Sequence, residues 1–454
     1  VSVKTQTRFF MEALLNLTAI FKRTIFTIAA CSVLHSFSVQ AQTAEKDTTV
    51  ERLKVRTSFA KSYFGIDAFT TTGGTTQYLT PSGLSSVDFG GTTSPRILLG
   101  GTHFWGHADF YVSIPVAEFG KKIPAELANV SYSEGVETGA RFFPWAIKEG
   151  KLRPFVGIAF KGFSFAQISN EPNKNYTTVP SVAKTTFPYQ AGVVYATKKL
   201  LFQAGVNYQR HTAFQYPLSR TQYGALEVSP WSFNVGLSYW INTNGGLASK
   251  YGEKYMKMGV KKLQTRNRLN CWYVGIGPSS SFEISKSEYI KDKYPFLKQE
   301  SPGSLIPDIA AGRYFHKADA NVGVSYRKLG YGMSGYGVHL NYERRSYTLE
   351  TYKFLGDYHG FVPYVGPTLA YEDLRFTNTD NGVSKSFEAK KVALGVIFGW
   401  DIRISRSETW LLRTNLRYTP NLHLKAEGKK VMFDQMEFNF IQFVWMVGRR
   451  QAWK

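Results

Sequence analysis

Outside its N-terminal region the chain has no run of eighteen or more apolar residues, which excludes a helical membrane protein of ordinary design. Cysteine is scarce too. The only two are Cys31 and Cys271, so once an exported leader is removed no intrachain disulfide is possible. Acidic residues are few, 33 against 55 Lys and Arg, giving a net charge of +22. No phosphate-cradling glycine loop and no cysteine cluster occur, and the histidines are scattered. What is abundant is aromatic: 34 Phe and 27 Tyr, with mean hydropathy nonetheless slightly negative at −0.23. Many aromatics without long apolar runs fit a β protein, either soluble or a barrel that hides apolar residues at every second position.

The N-terminal stretch predicts a secretory leader spanning 1–41. Lys22 and Arg23 supply its charge, Thr24 to Val39 its apolar segment, and Val39-Gln40-Ala41 its cleavage site, with Met11 as a start. Ile28-Ala29-Ala30-Cys31 offers a rival lipoprotein site, but the apolar segment before it is short and runs on past it. Removing 1–41 leaves a charge of about +19. For an exported protein the acidic neighbours are outer-membrane lipids, lipopolysaccharide among them, and not nucleic acid.

Strict alternation follows. Trp231, Phe233, Val235, Leu237, Tyr239 and Ile241 share one face of a strand. Val392, Leu394, Val396, Phe398, Trp400 and Ile402 do the same, opposite Gly395, Gly399 and Asp401. Trp410, Leu412, Leu416 and Tyr418 oppose Arg413, Asn415 and Arg417. These strands run about nine to fifteen residues, and about nine to eleven tilted residues cross a bilayer, whereas soluble strands average about five or six. In the first half, long connections at 71–95, 117–131, 169–185 and 210–226 alternate with tight ones at Trp105-Gly106-His107, Lys148-Glu149-Gly150 and Thr197-Lys198-Lys199. That wiring is expected of a barrel with long outer loops and short periplasmic turns. Phe142, Phe143 and Trp145 gather at a strand end, as an interface girdle would.

An offset near 210 residues runs through the chain. Tyr63-Phe64-Gly65 matches Tyr273-Val274-Gly275, and Val50, Leu53 and Arg56 match Val260, Leu263 and Arg266. His107-Ala108-Asp109 matches Lys317-Ala318-Asp319, Pro154-Phe155-Val156-Gly157 matches Pro363-Tyr364-Val365-Gly366, and Phe233-Asn234 matches Phe438-Asn439. The expected fold is all-β, a transmembrane antiparallel β-barrel of sixteen strands in two tandem eight-stranded units, 42–246 and 247–454. In the second unit the strands are expected near 270–283, 304–316, 319–328, 336–350, 359–375, 386–402, 406–418 and 434–448.

Each unit, on these patterns, resembles the small outer-membrane β-barrel family and is similar to the OmpA transmembrane domain and its OmpX-like and OmpW-like relatives. The resemblance implies eight-stranded barrels with periplasmic termini. It also implies a terminal aromatic, whereas this sequence ends Ala452-Trp453-Lys454, so Phe440, Phe443 and Trp445 are the expected insertion signal.

Residues 243–268 join the units and are rich in Lys. Tyr251, Tyr255, Met258 and Lys262 predict a short amphipathic helix with a basic face; it is read as a solvated connector, with cell-wall or headgroup contact through 247–268 as the alternative. Gly157, Gly205, Gly236, Gly275, Gly366, Gly395 and Gly399 are placed inward with Glu137, Arg141, Glu343 and Arg413. Small residues beside large ones suit a narrow filled lumen, which favours two small barrels over one sixteen-stranded barrel.

The candidate bases for a nucleophile are His103, His107, His211, His316, His339, His359 and His423, with Ser219 and Asp434 loosely near His211 and His423 in sequence. No hydrolase or acyltransferase motif surrounds them, and His103 and His107 do not have metal-ligand spacing on one helix. No catalytic, cofactor-binding or metal residues are assigned, and no cofactor is implied. The expected function is a structural or surface-interaction role through the loops 71–95, 169–185 and 285–303. A porin-like channel for small solutes and a lipid-modifying enzyme are the alternatives.

Overall fold

The computed structural model describes residues 60–449, apart from 81, 120–129, 168–181, 242–249, 298–305, 358–359 and 404–408. The leader, the lead-in Val50–Arg56, most of loop 169–185, His359 and the C-terminal residues therefore lie outside the described residues.

The described residues fold mostly into antiparallel strands. The first half holds β1 (Lys61–Thr71), β2 (Gly74–Thr80), β3 (Gly83–Phe89), β4 (Thr93–His103), β5 (Ala108–Pro115), β6 (Val130–Phe142), β7 (Leu152–Gln167) and β8 (Val182–Thr186). It continues with β9 (Tyr189–Ala196), β10 (Leu200–Tyr208), β11 (Ala213–Pro217), β12 (Tyr223–Val228) and β13 (Trp231–Ile241). Eight of these, in the order β6-β5-β4-β1-β13-β10-β9-β7, pair side by side, and a β6–β7 ladder joins the two ends into a ring. β8 pairs with the upper part of β7 and β9 with the lower part, so the two are one strand broken at Phe187-Pro188. Proline there removes a ladder donor.

Helix α1 (Lys250–Thr265) connects to the second half. There β14 (Cys271–Phe282), a short helix α2 (Glu288–Lys293), β15 (Ile306–Phe315), β16 (Ala320–Gly335), β17 (Val338–Phe354), β18 (Phe361–Asp380) and β19 (Val383–Ile402) follow. β20 (Trp410–Tyr418), the hairpin β21 (His423–Ala426) and β22 (Lys429–Met432), and β23 (Met436–Val447) complete it. β14, β15, β16, β17, β18, β19, β20 and β23 form a closed barrel. Its eight strands fall where the alternation places them.

Both walls are inside out relative to a soluble protein. Leu394 is 71% exposed, and Ile66 and Val235 are each 64% exposed, while Arg344 inside the barrel is 1% exposed. A water-soluble fold would reverse that arrangement, since apolar area exposed to water costs about 25 cal/mol per Å². Among the described residues no helix is long and apolar enough to cross a membrane.

Several expectations need correction. The stretches 71–95 and 210–226 are not plain loops: they form a four-stranded sheet, β11-β12-β2-β3, above the first ring. Nor do the strands of the second half stop at 328 and 375. β16–β17 and β18–β19 run on as long hairpins closed by Tyr336-Gly337 and Asn381-Gly382, whose φ angles of 50°, 79°, 48° and 83° are those of two-residue turns. The outer rim of this half is therefore built from extended strands as much as from loops. Phe143 is fully buried, unlike the exposed Phe142 and Trp145, because its side chain packs on Phe155 inside the ring instead of joining a girdle.

The two rings touch through aromatic side chains on their outer walls. Phe104 lies against Phe361, Phe110 against Trp400 and Phe160 against Phe282, with ring centroids 5.5, 6.3 and 5.5 Å apart. α1 forms where the helical spacing places it; among its described side chains, from 258 on, Val260 and Leu263 are buried and Met258 is 61% exposed. Met258 does not dock, and the side chains of Tyr251 and Tyr255 lie outside the described residues.

Candidate functional site

The features that decide what the protein can do are the two lumens and the lids above them. Each inward face alternates with the apolar wall, so every second position of a strand points inside, and large polar side chains there alternate with glycines and aromatics. In the first ring Arg96 on β4 donates to Asp67 through Nε and Nη2 at 2.8 and 2.5 Å, and its Nη1 reaches Glu137 at 3.2 Å. Tyr111 Oη donates to Glu137 at 2.6 Å, and Gln190 Nε2 donates to Tyr111 Oη at 2.6 Å. Tyr63 Oη donates to Asp109 at 2.8 Å, while Arg141 Nη1 donates to Asp109 at 3.1 Å and to Gln203 at 2.8 Å. Lys161 pairs with Glu134 and lies 3.8 Å from the centre of the Phe69 ring.

The second barrel repeats the principle with more charge. Arg417 donates from Nε to Glu350 and from Nη1 to Asp308, both at 2.7 Å. Arg327 and Arg344 hold Glu437 between them at 2.5 and 2.8 Å, and Arg344 forks onto Glu372 at 2.8 and 2.7 Å. Arg413 and Arg403 share Asp401. A carboxylate or guanidinium removed from water needs such partners, because an unpaired buried ion costs several kcal/mol.

Glycines make room for these side chains. A Cβ at Gly100 would stand 2.5 Å from the Tyr63 ring, one at Gly139 2.5 Å from Tyr111, and one at Gly399 2.6 Å from Tyr364 Oη. Gly157, Gly205, Gly236, Gly275, Gly366, Gly395 and Gly399 all face inward, and so do Glu137, Arg141 and Arg413. Glu343 does not. On β17 the inward side chains are Tyr342, Arg344, Ser346, Thr348 and Glu350, and Glu343 lies on the outer wall. At that height the phase reverses: Val338, Leu340 and Tyr342 turn inward into the lid cluster and His339, Asn341 and Glu343 turn outward, so placing the apolar residues outside puts Glu343 on the wrong face.

Aromatic and aliphatic clusters close the lumens at either end. Near the turns, Tyr63, Tyr111, Phe143, Phe155 and Trp240 fill the first ring, and Tyr273, Tyr314, Tyr352, Phe354 and Tyr364 the second. At the loop end, Tyr216, Leu218 and Leu226 roof the first ring over Phe163 and Phe165. In the second, Tyr289, Tyr294, Phe296 and Leu297 from loop 285–303 pack under the long hairpins, against Tyr336, Tyr342 and Phe376, and against Leu424 and Val431 of β21–β22. Loop 285–303 is thus, in its described part, a lid with a short helix. Arg220, from the first unit, reaches across to this lid. It donates to the Tyr336 carbonyl at 2.9 and 2.6 Å and to Asp380 at 3.1 Å, while Tyr336 Oη donates to the Pro217 carbonyl at 3.0 Å.

The described histidines, Ser219 and Asp434 are not brought together. His107 Nδ1 faces the Phe143 carbonyl at 2.9 Å, and His423 Nδ1 faces the Asn421 carbonyl at 2.9 Å. His103 is buried at the end of β4, His316 sits in a turn, and His211 and His339 are exposed. Ser219 Oγ accepts from the backbone of Thr221 and Gln222. Ser281 Oγ donates to Asp434 at 2.5 Å. No group of three or more metal-ligating side chains occurs among the described residues.

Asp434 lies between β22 and β23, and burial pushes its carboxyl up to about 6. In an unfolded chain it titrates near the ordinary value of about 3.9. The folded state therefore binds the proton more tightly, and this group's contribution is present below pH ~4 and lost as pH rises through ~6. We expect Asp434→Asn to remove that loss and to raise stability at pH 8 by up to about 3 kcal/mol. Urea unfolding of both proteins at pH 4 and pH 8 checks this. An equal gain at both pH values would show that charge is not the cause.

No family model matches the sequence, and no curated protein matches it. Among solved structures the chain is similar to that of Neisserial surface protein A, at 13% identity and a TM-score of 0.25, over 39% of this chain and 96% of that one. It is also similar to an outer membrane channel from Pseudomonas putida F1, at 10% identity and a TM-score of 0.17, over 89% of this chain and 99% of that one. A third likeness is to the trimer form of OmpT, an outer membrane protein of Vibrio cholerae, at 8% identity and a TM-score of 0.15, over 84% and 99%. Likenesses this distant carry no argument, and the reading of the chain rests on its own geometry.

Proposed function

We propose that this is an exported outer-membrane protein of two tandem eight-stranded units, 42–246 and 247–454, with closed lumens and a structural or surface-interaction role at its loop end. The observation that carries the reading is the lumen of the second barrel. There Arg327, Arg344, Arg413 and Arg417 are each 3% exposed or less and are all paired with carboxylates. Together with the aromatic layers above and below, this leaves solute no wide, wet path, which a porin-like channel needs. The exposed apolar walls supply the membrane surface, and the long hairpins with the β11-β12-β2-β3 sheet supply the contact surface.

A tandem duplication accounts for the paired positions. Tyr63 and Tyr273 are both buried near the start of their first strands, Phe155 and Tyr364 both point inward, and Asn234 and Asn439 both sit inside the last strand. On the turn side, the exposed Lys261 and Arg266 of the α1 region suit contact with anionic headgroups or the cell wall. We assign no catalytic step, and release of acyl chains from labelled lipid A by the pure protein would overturn that assignment.

The full-length protein in a planar bilayer is expected to give no stable stepwise conductance. Large, long-lived openings would return the channel reading to first place.

A further inference from the structure

The outer wall of the second barrel carries a feature that neither lumen explains. On β15 to β19 the outward side chains leave a groove of about 560 Å³ whose walls are almost wholly apolar, formed by Ala311, Val324, Tyr347, Leu349, Leu369 and Tyr371 among others. One row of the sheet above it is charged. Cross-strand partners run Lys328, Arg345, Asp373, Lys390 over β16, β17, β18 and β19. They stand two residues beyond Tyr326, Tyr347, Tyr371 and Val392, the row that ends the apolar wall. Lys328, Arg345 and Lys390 are exposed, and among the described residues none of the three forms an ion pair; the next row up holds Glu343, Arg375 and Glu388, with Arg375 paired to Glu388 at 2.7 Å and one carboxylate in excess.

Three cations against the single carboxylate of Asp373, in the row directly above an apolar groove, fit a ligand that is anionic at one end and aliphatic at the other. A membrane edge lined with tyrosine is where such a ligand's phosphates lie. The wall is recessed beside Lys328, because the next outward positions on β16 are Gly330 and Gly332. A Cβ at Gly330 would meet nothing nearer than 3.9 Å, so packing does not demand the glycine. The feature belongs to this barrel: outward positions on β1, β4, β5 and β13 of the first ring carry no Lys or Arg. The groove also stands clear of Phe282, Phe361 and Trp400, which meet the first ring.

We propose that this wall is a binding site for a phosphate-bearing, multiply acylated glycolipid of the outer leaflet, of the lipopolysaccharide class. Acyl chains fill the groove, and the phosphates meet Lys328, Arg345 and Lys390. The site rests on the membrane reading above, with the loop end outward.

The test uses the full-length protein in detergent, stripped of lipid and titrated with diphosphorylated lipid A, phosphatidylglycerol or phosphatidylethanolamine, with bound lipid counted by native mass spectrometry. Lipid A is expected to bind one per chain and more tightly than either phospholipid. The combined Lys328→Gln, Arg345→Gln and Lys390→Gln variant should bind it at least about tenfold more weakly. Ala311→Trp, which fills the groove, should weaken it without changing charge. Lys148→Gln, Lys151→Gln and Lys198→Gln, an equal charge loss at exposed turns of the first unit, should leave it unchanged. Undiminished binding in the first variant, or phosphatidylglycerol bound as tightly as lipid A, overturns the site. Heat-modifiable migration on a denaturing gel, measured on every variant, separates loss of this site from failure of the barrel reading itself.

Discussion

Replacing Arg417 with methionine should lower the unfolding free energy of the second barrel by about 3–5 kcal/mol, the cost of leaving buried carboxylates without their cation. Arg417 donates to both Glu350 and Asp308 at 2.7 Å, and all three side chains are nearly excluded from solvent. Methionine fills much of the same volume, so the loss reports charge more than packing. Arg327 is a poor substitute, since its Nη1 stands 3.8 Å from Glu350 and 3.9 Å from Asp308. Asp308 keeps the Asn439 amide at 2.8 Å and Glu350 keeps the Ser325 hydroxyl at 2.6 Å, which limits the damage without supplying a positive charge.

Arg375→Met is the comparison. That side chain also pairs at 2.7 Å, with Glu388, yet both are more than half exposed, and pairs of that kind contribute about 0–1 kcal/mol. Urea titration of the heat-modifiable fraction in micelles measures both. If the two variants lose equal stability, the ladder is not what holds the lumen shut, and the closed-lumen reading fails with it.

The contrast between Arg344 and Glu343 shows where a sequence stops being readable. Across the apolar wall the phase of a strand is unambiguous, because Val392, Leu394 and Val396 on one side and Ala393, Gly395 and Ile397 on the other differ in size or in exposure. Above the wall the hydropathy of β17 reverses, with Val338, Leu340 and Tyr342 inside under the lid and His339, Asn341 and Glu343 outside, so a phase carried up from the apolar wall turns the wrong carboxylate inward. The same limit hid the length of β18 and β19, where Asn378 and Lys385 look like loop residues although they pair in the ladder. Asn381-Gly382 was the available signal, since that dipeptide favours the φ > 0 turn that closes a two-residue hairpin. The ion pairs were half legible: charged residues at inward positions of apolar strands announce a filled lumen, but partners such as Arg96 with Asp67, or Arg417 with Asp308, come from strands far apart in sequence. The lipid-facing groove was not legible, because it depends on how five walls curve together.

Residues 247–454, fused to a fresh leader, are expected to reach the membrane and fold alone as a heat-modifiable barrel. The physical reason is that the second barrel closes on itself. β14 pairs with β23 along Trp272 to Phe282, with one register shift between Ile276 and Ser279, and among the described residues no ladder links either ring to the other. What separation removes is a set of side-chain contacts: three aromatic pairs on the walls, and the Arg220 and Tyr336 hydrogen bonds across the lids. Tyr336 would lose its partner at the Pro217 carbonyl but would stand at a rim where water can replace it. Aromatic pairs contribute about 0.5–1.5 kcal/mol each beyond area burial, so the isolated unit should be weaker than the intact chain by a few kcal/mol and still folded. Arg220→Ala in the full-length protein should reproduce only the lid part of that loss. The decisive measurement is migration of the isolated unit with and without heating, beside protease resistance in envelopes. Failure of 247–454 to fold, and of 42–246 in the same assay, would mean that each ring needs its neighbour's wall, and that the pair is one cooperative unit.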